Sequence, residues 1–329
     1  MSTAELEQQL DEFRSTFAEL REQIARVVVG QDEVIEQTLS ALVAGGHVLL
    51  EGPPGVGKTL LVRSIAGALD VQFRRIQCTP DLMPADVIGT YIVMETHGRR
   101  KFEFQQGPIF TNVLLVDEIN RATPKTQSAL IEGLQEFAVT VANETYGLPD
   151  PFFCMATQSP LDEDGTFPLP ETQVDRFMFK LQMNYPTEAE LETILDRTTE
   201  PTAPVAKVAT SGETIQSMSR VAREITIAPE IRSYALRLLM ATHPDRDAAP
   251  PLVKQYVDHG ASPRGVQSMI LGAKVAAINA GRVNVAQEDL QKLAVPALSH
   301  RLVLNFRGHA ENISREEIVN EIVRTAAAG

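Results

Sequence analysis

The stretch Gly52-Pro53-Pro54-Gly55-Val56-Gly57-Lys58-Thr59 sets glycines, a lysine and a hydroxyl at the spacing G-x-x-x-x-G-K-[ST]. That combination grips phosphate. Glycines let the backbone curl its N–H groups toward phosphate oxygens, and a following helix adds the favourable end of its dipole. Lys58 would reach the β- and γ-phosphates of a nucleotide, and Thr59 would offer its hydroxyl to Mg²⁺. Such a pattern also arises by chance in loops. Here the apolar run His47-Val48-Leu49-Leu50 precedes it, and Leu60 to Leu69 follows with helical spacing. The loop, with Pro54, Gly55, Val56 and Leu60 completing it, therefore lies between a buried strand and a helix.

A second signal is Asn112-Val113-Leu114-Leu115-Val116-Asp117-Glu118, an apolar run ending in two acids. On its own it describes a strand and a polar turn. After a phosphate loop it places carboxylates at the strand end where open α/β sheets bind ligands. Asp117 would hold Mg²⁺ through water, and Glu118 would orient and deprotonate an attacking water. A base for water favours hydrolysis over phosphoryl transfer to a small molecule. Two arginines are oddly placed. Arg176 directly precedes the apolar run Phe177 to Met183. Arg264, in Ser262-Pro263-Arg264-Gly265, sits in the first turn of a helix capped by Ser262, where the dipole disfavours a cation. Each either meets an anion of functional importance or forms an ordinary salt bridge.

The elements that must position these groups alternate. Apolar runs at 47–50, 71–78, 112–116, 152–156 and 177–183 are separated by helical patterns, the rhythm of a mostly parallel sheet with crossover helices. Asn184-Tyr185-Pro186-Thr187 breaks the rhythm. Beyond it only helical stretches stand out, near 187–198, 212–224, 229–242, 263–280, 286–298 and 310–326, with a Pro-, Ala- and Thr-rich linker at 200–211. At the amino end, Leu6, Leu10, Phe13, Phe17, Leu20 and Ile24 form one apolar helical stripe. The division is an amino-terminal helix packed on the core (1–26), an α/β core (27–184) and a helical domain (187–329). The chain's 329 residues allow two domains and a large core.

Composition narrows the function classes. Hydrophobic residues make up 43% and charged residues 22%, an ordinary globular balance. There is no apolar run of about 18 residues and no basic-then-apolar leader, which predicts a cytoplasmic protein with no membrane span. Cys78 and Cys154 make no metal pattern and read as buried reduced thiols. A net charge of −13 makes non-specific nucleic-acid binding unfavourable.

These residues together resemble the AAA+ ATPases and, within them, the MoxR family. The resemblance covers about residues 25–310. It rests on Val29-Gly30-Gln31, the phosphate loop, "LMPADVIG" at 82–89, "QGPIF" at 106–110, "LLVDEINRATPKTQSALIEGLQE" at 114–136, "PFFCMATQSP" at 151–160, "FPLPETQVDRF" at 167–177 and "SPRG" at 262–265. It implies an α/β P-loop NTPase core with a parallel five-stranded sheet, an all-helical lid, ATP and Mg²⁺ as ligands, and a ring, usually a hexamer. Val29, Gly30 and Gln31 match the segment beside adenine. Arg176 matches the arginine finger that reaches the neighbour's γ-phosphate, and Arg264 matches sensor 2. Segment 79–105 corresponds to the insert in helix 2. Residues 137–152 correspond to the hairpin before sensor 1, with Gly147 at its turn. One position departs from the family. Members read ATQNP where this chain reads Ala156-Thr157-Gln158-Ser159-Pro160. Ser159 thus takes the sensor 1 position with a shorter side chain, and slow turnover follows. The family implies chaperone-like remodelling or cofactor insertion in partner proteins, often ones with von Willebrand factor A domains. A nucleotide-gated scaffold with weak hydrolysis is the alternative kept open by Ser159. A DNA-remodelling motor is a third, disfavoured by the acidic balance.

Overall fold

In the computed structural model, which describes residues 3–96, 99–158, 166–199 and 204–327, the amino-terminal stripe forms α1 (Thr3–Ala25). Leu10, Phe13, Phe17, Leu20 and Ile24 are buried along it, and the rings of Phe13 and Phe17 stack 6.3 Å apart. Next come α2 (Asp32–Ala44), β1 (Val48–Glu51), α3 (Lys58–Leu69) and β2 (Phe73–Gln77). A short helix, α4 (Pro84–Ile88), then leads into an antiparallel hairpin of β3 (Gly89–Thr96) and β4 (Arg99–Gln106). Gly89 has a φ of 99°, and a side chain there would run into the Gln105 carbonyl, so the position needs glycine.

β5 (Val113–Asp117) is buried at every position. It is followed by a 3-10 turn at Ile119–Arg121 and by α5 (Pro124–Glu136). A second hairpin pairs β6 (Ala138–Val141) with β7 (Glu144–Gly147). Its turn is Ala142-Asn143, both left-handed with φ of 48° and 70°, as a two-residue hairpin turn demands. Gly147, expected at the turn, instead ends β7 opposite Ala138. Asn143 tolerates the left-handed backbone that glycine would otherwise supply. The two hairpins are tied together. Tyr91 and Tyr146 both donate to the Glu144 carboxylate, at 2.9 and 2.6 Å, and Phe104 lies flat against Tyr146 with ring centres 4.2 Å apart.

β8 (Phe153–Gln158), α6 (Glu171–Val174) and β9 (Phe179–Gln182) complete the core. The main sheet has the order β2-β5-β8-β1-β9, and all its pairings are parallel. The five strands are the five apolar runs of the sequence. Cys78 and Cys154 are buried free thiols, and burial pushes the Cys78 thiol up to about 12.

The rest of the chain is a helical lid. It comprises α7 (Glu188–Thr199), α8 (Gly212–Glu224), α9 (Pro229–Met240), α10 (Pro251–Tyr256), β10 (Val257–His259), α11 (Pro263–Asn279), α12 (Gln287–Leu298), β11 (Val303–Leu304), α13 (Phe306–Ala310) and α14 (Arg315–Ala327). The antiparallel pair β10–β11 is an addition to the expected helices. Its strands are too short to show an alternating pattern in sequence. Among the described residues, no helix is long and apolar enough to cross a membrane.

α1 packs on α2 and α3 of the core and also on α8 and α11 of the lid, so its apolar face spans both. Phe13 is 2% exposed at the centre of that face. Phe13→Ala should cost about 3–5 kcal/mol, read as a lowered midpoint in urea unfolding, whereas the exposed change Glu12→Ala should move stability by less than about 0.5 kcal/mol.

Candidate active site

The phosphate loop connects β1 to α3 as its pattern requires. Gly55 and Gly57 have φ of 84° and 96°, and nothing lies within 4 Å of where a side chain would point at either. The loop thus presents an open concave backbone. No side chain caps the start of α3, so the helix's first N–H groups remain available to an anion. Lys58 curls back over the loop and donates to the carbonyls of Gly52 (2.6 Å) and Pro53 (3.3 Å). Burial lowers its pKa, an effect opposed by the charges of Asp117, Glu118 and Glu51. Glu51 itself is neutralised by Lys180 at 2.8 Å.

The sheet order sets the acids beside this loop. β8 lies between β1 and β5, with Leu50 opposite Thr157 and Val116 opposite Ala156. The carboxyl ends of the three strands therefore meet. There the Thr157 hydroxyl donates to Asp117 Oδ1 at 2.6 Å and accepts the Glu118 N–H at 2.9 Å. From β2, Arg75 donates to Asp117 Oδ2 through Nε (3.1 Å) and Nη2 (2.6 Å). Glu118 Oε2 accepts from Gln77 (3.0 Å) and Arg121 (3.1 Å). Glu118 also holds a φ of 56°, a left-handed backbone rare outside glycine and asparagine and characteristic of functional sites. Thr157, Arg75, Gln77 and Arg121 were not singled out from sequence. A threonine in an otherwise apolar buried strand was the one local signal among them.

The donor set fits magnesium nucleotide. The Thr59 hydroxyl and the Asp117 carboxylate are hard oxygen ligands of the kind Mg²⁺ selects, and the open glycine loop suits a phosphate chain. Beside it, Val27, Leu60, Arg63 and Phe73 line a cavity of about 490 Å³, within the range of small-molecule sites. Of Val29, Gly30 and Gln31, the last two meet the stretch after β9. The Gln31 amide is buried and donates to the Asn184 carbonyl at 3.2 Å. Gly30, with φ of 74°, lies directly against the Glu190 carboxylate. This segment is therefore clasped to the stretch that follows β9. Ser159 lies outside the described residues.

Arg176 and Arg264 are brought together, but at the other end of the sheet. They share a cavity of about 350 Å³ with Arg223, Arg301 and the Gly45-Gly46-His47 stretch that enters β1. The phosphate loop leaves the opposite end of that strand. Arg264 donates to Asp175 Oδ2 at 3.0 Å, and Ser262 donates to Oδ1 at 2.6 Å while capping α11. The cation in the first turn thus has its anion, Asp175. Burial pushes the Asp175 carboxyl up, but the hydrogen bonds from Ser262 and Arg264 and the charge of Arg301 outweigh it and hold the pKa below its usual value. Arg176 is exposed, and no ion pair to it is found among the described residues.

Known proteins share this architecture over nearly the whole chain. The family model of the ATPase family associated with various cellular activities (AAA) matches residues 47–179, and that of the AAA lid domain matches 251–322. The chain is 40% identical to Chaperone MoxR1 of Mycobacterium tuberculosis, across 93% of this chain and 80% of that protein. It is 31% identical to Protein MoxR of Methylorubrum extorquens, across 96% and 94%. A crystal structure of an inferred ATPase from Cytophaga hutchinsonii superposes with a TM-score of 0.89 at 36% identity, covering 97% of this chain and 96% of that one. A phosphate loop and paired acids at one end of a parallel sheet, with a helical lid behind, thus coincide with sequence identity along the full length: this chain belongs to the MoxR family of AAA+ ATPases.

Proposed function

We propose that the chain hydrolyses ATP to ADP and phosphate in a ring of identical subunits, and uses the cycle to remodel or mature client proteins. Residues 27–184 form the ATPase unit, 187–329 the lid, and 1–26 a brace on the core. A hexamer is the expected assembly, and proteins with von Willebrand factor A domains are the expected partner class, as the family resemblance implies. The one observation that carries the reading is the position of Arg176. It stands exposed and, among the described residues, without an ion pair, at the end of the sheet away from its own phosphate loop. A guanidinium there is always charged and can offer parallel N–H groups to a phosphate. The phosphate that suits it is the one held by the next subunit, with Arg264 beside it.

Within one subunit the roles divide by chemistry. Lys58 and the amide groups of the loop hold the phosphates. Thr59 and Asp117 would hold Mg²⁺, which would supply charge neutralisation for the phosphates. Glu118 accepts a proton from the attacking water, and its φ of 56° turns the carboxylate out of the strand line. Thr157 fixes both acids at once, because one hydroxyl bridges the Asp117 carboxylate and the Glu118 amide. Val29, Gly30 and Gln31 lie beside the base, with apolar wall nearby at Val27 and Leu60.

Three measurements check this. Lys58→Ala should lose ATP affinity, whereas Glu118→Gln should bind ATP and lose turnover; parent-rate turnover by Glu118→Gln would remove its role as base. Arg176→Ala should bind ATP yet hydrolyse about 10³–10⁵ times more slowly. Mixed with Lys58→Ala, which keeps a sound finger, it should regain part of the activity, and no recovery in co-assembled subunits would exclude action across the interface. Thr157→Val should cost about 1–3 kcal/mol through unpaired buried groups and reduce turnover, while Thr157→Ser should retain both. Equal loss in the serine variant would mean that the methyl group, not the hydroxyl, matters.

A further inference from the structure

The segment that carries Arg176 packs Phe177 into the α/β core and ties the Met178 N–H to the His47 carbonyl at 2.8 Å, and the lid reaches it chiefly through one side chain. Arg301 lies in the 3-10 turn Ser299–Arg301 that follows α12. Its side chain is 1% exposed. From there it donates to the carbonyl oxygens of Asp175 (2.8 Å), Phe177 (2.7 Å) and Met178 (3.2 Å), and to Asp175 Oδ1 (2.9 Å). It is anchored behind by the Ala297 carbonyl and by Ser268 at 3.4 Å. The three carbonyls bracket Arg176 on both sides. The neighbouring His300 adds a further contact to Phe177 O at 3.2 Å.

We propose that Arg301 is a positioning residue for Arg176: the lid of one subunit fixes the backbone on either side of the finger and so sets the geometry of the nucleotide site in the next subunit. The proposal rests on the reading that Arg176 acts across the interface.

The chemistry of the guanidinium explains why an arginine is needed. A planar fork of five N–H groups can serve several diverging acceptors at once, whereas the compact ammonium of lysine has three donors and cannot span them. A buried cation must also be paired, and Asp175 meets that need. Burial pushes the Arg301 pKa down to about 10, so the group remains charged at neutral pH. Asp175 in turn binds Ser262 and Arg264. The residue immediately before the finger is therefore gripped by α11 and by the turn after α12 together. The lid thus holds the residue before the finger, while the Met178 N–H donates to the His47 carbonyl on the sheet side. Misplacing a catalytic group by about 1 Å can cost on the order of 10² in rate, so a loosened bracket is enough to disable the finger without removing it.

The test uses full-length variants Arg301→Met and Arg301→Lys in mixed assemblies whose subunits carry two tags. Each variant alone should bind ATP like the parent and turn over about 10² times more slowly. Mixed with Lys58→Ala, which supplies a sound finger, Arg301 variants should regain turnover, because their own phosphate grip is intact. Mixed with Arg176→Ala, which has a grip and no finger, they should regain none, because neither subunit donates a working finger. Recovery in that second mixture would show that the finger works without Arg301 and overturn the proposal. Failure to recover with Lys58→Ala would show that Arg301 supports the subunit's own site instead, and would overturn it equally. Arg301→Lys keeps a cation opposite Asp175 and serves if Arg301→Met does not fold. The control mixture of Arg176→Ala with Lys58→Ala tests the interface reading by itself, so its failure is distinguishable from failure of the Arg301 role.

Discussion

Every strand of the main sheet runs in the same direction, and this divides the connecting segments into two sets. Those leaving the carboxyl ends hold the phosphate loop, Asp117, Glu118 and Thr157. Those entering the amino ends hold Gly45-Gly46-His47 and the Asp175–Arg176 pair. A parallel sheet cannot fold its entering segments over to its leaving ones without a long excursion. The chain therefore separates the group that grips phosphate from the cation expected to meet it. In the proposed ring, a single subunit holds half of each of two sites.

At the carboxyl ends the difficulty is electrostatic. Asp117 ends a strand buried at every position, and a carboxylate in such a place needs partners. It takes a hydroxyl from β8 on one oxygen and a guanidinium from β2 on the other. The order β2-β5-β8 makes both neighbours available. The same threonine hydroxyl receives the amide of Glu118, whose unusual backbone would otherwise leave that N–H unpaired. One residue thus resolves the burial of one acid and the strain of the next. At the amino ends the pattern repeats, with Asp175 gathering Ser262, Arg264 and Arg301 while Arg176 faces outward.

Much of this was legible in sequence because its signals are local. The phosphate loop is contiguous, the strands are unbroken apolar runs, and the acid pair directly ends one of them. The five strands, most lid helices and the placement of Lys58, Thr59, Asp117 and Glu118 follow from such patterns. What was not legible depends on neighbours distant in the chain. Arg75, Gln77 and Thr157 acquire meaning only once β2 and β8 are known to flank β5. Arg301 reads as one more basic residue after a helix until the turn that carries it is packed against α6 and the stretch leading into β9. Short pieces such as β10, β11 and α13 have too few residues to show any period. Gly147 misled for a related reason, since Asn143 already satisfied the turn.

The two hairpins have a mechanical consequence. A ribbon of two strands is compliant by itself, yet here two ribbons are cross-braced by Tyr91, Glu144 and Tyr146, with the ring of Phe104 wedged against them. β4 runs back toward β5 and β7 toward β8. A push on the exposed side chains of the first ribbon, such as Phe102 and Val93, is therefore shared by the second. The braced pair leads, through short connections, into the two strands that end in Asp117 and in Thr157-Gln158.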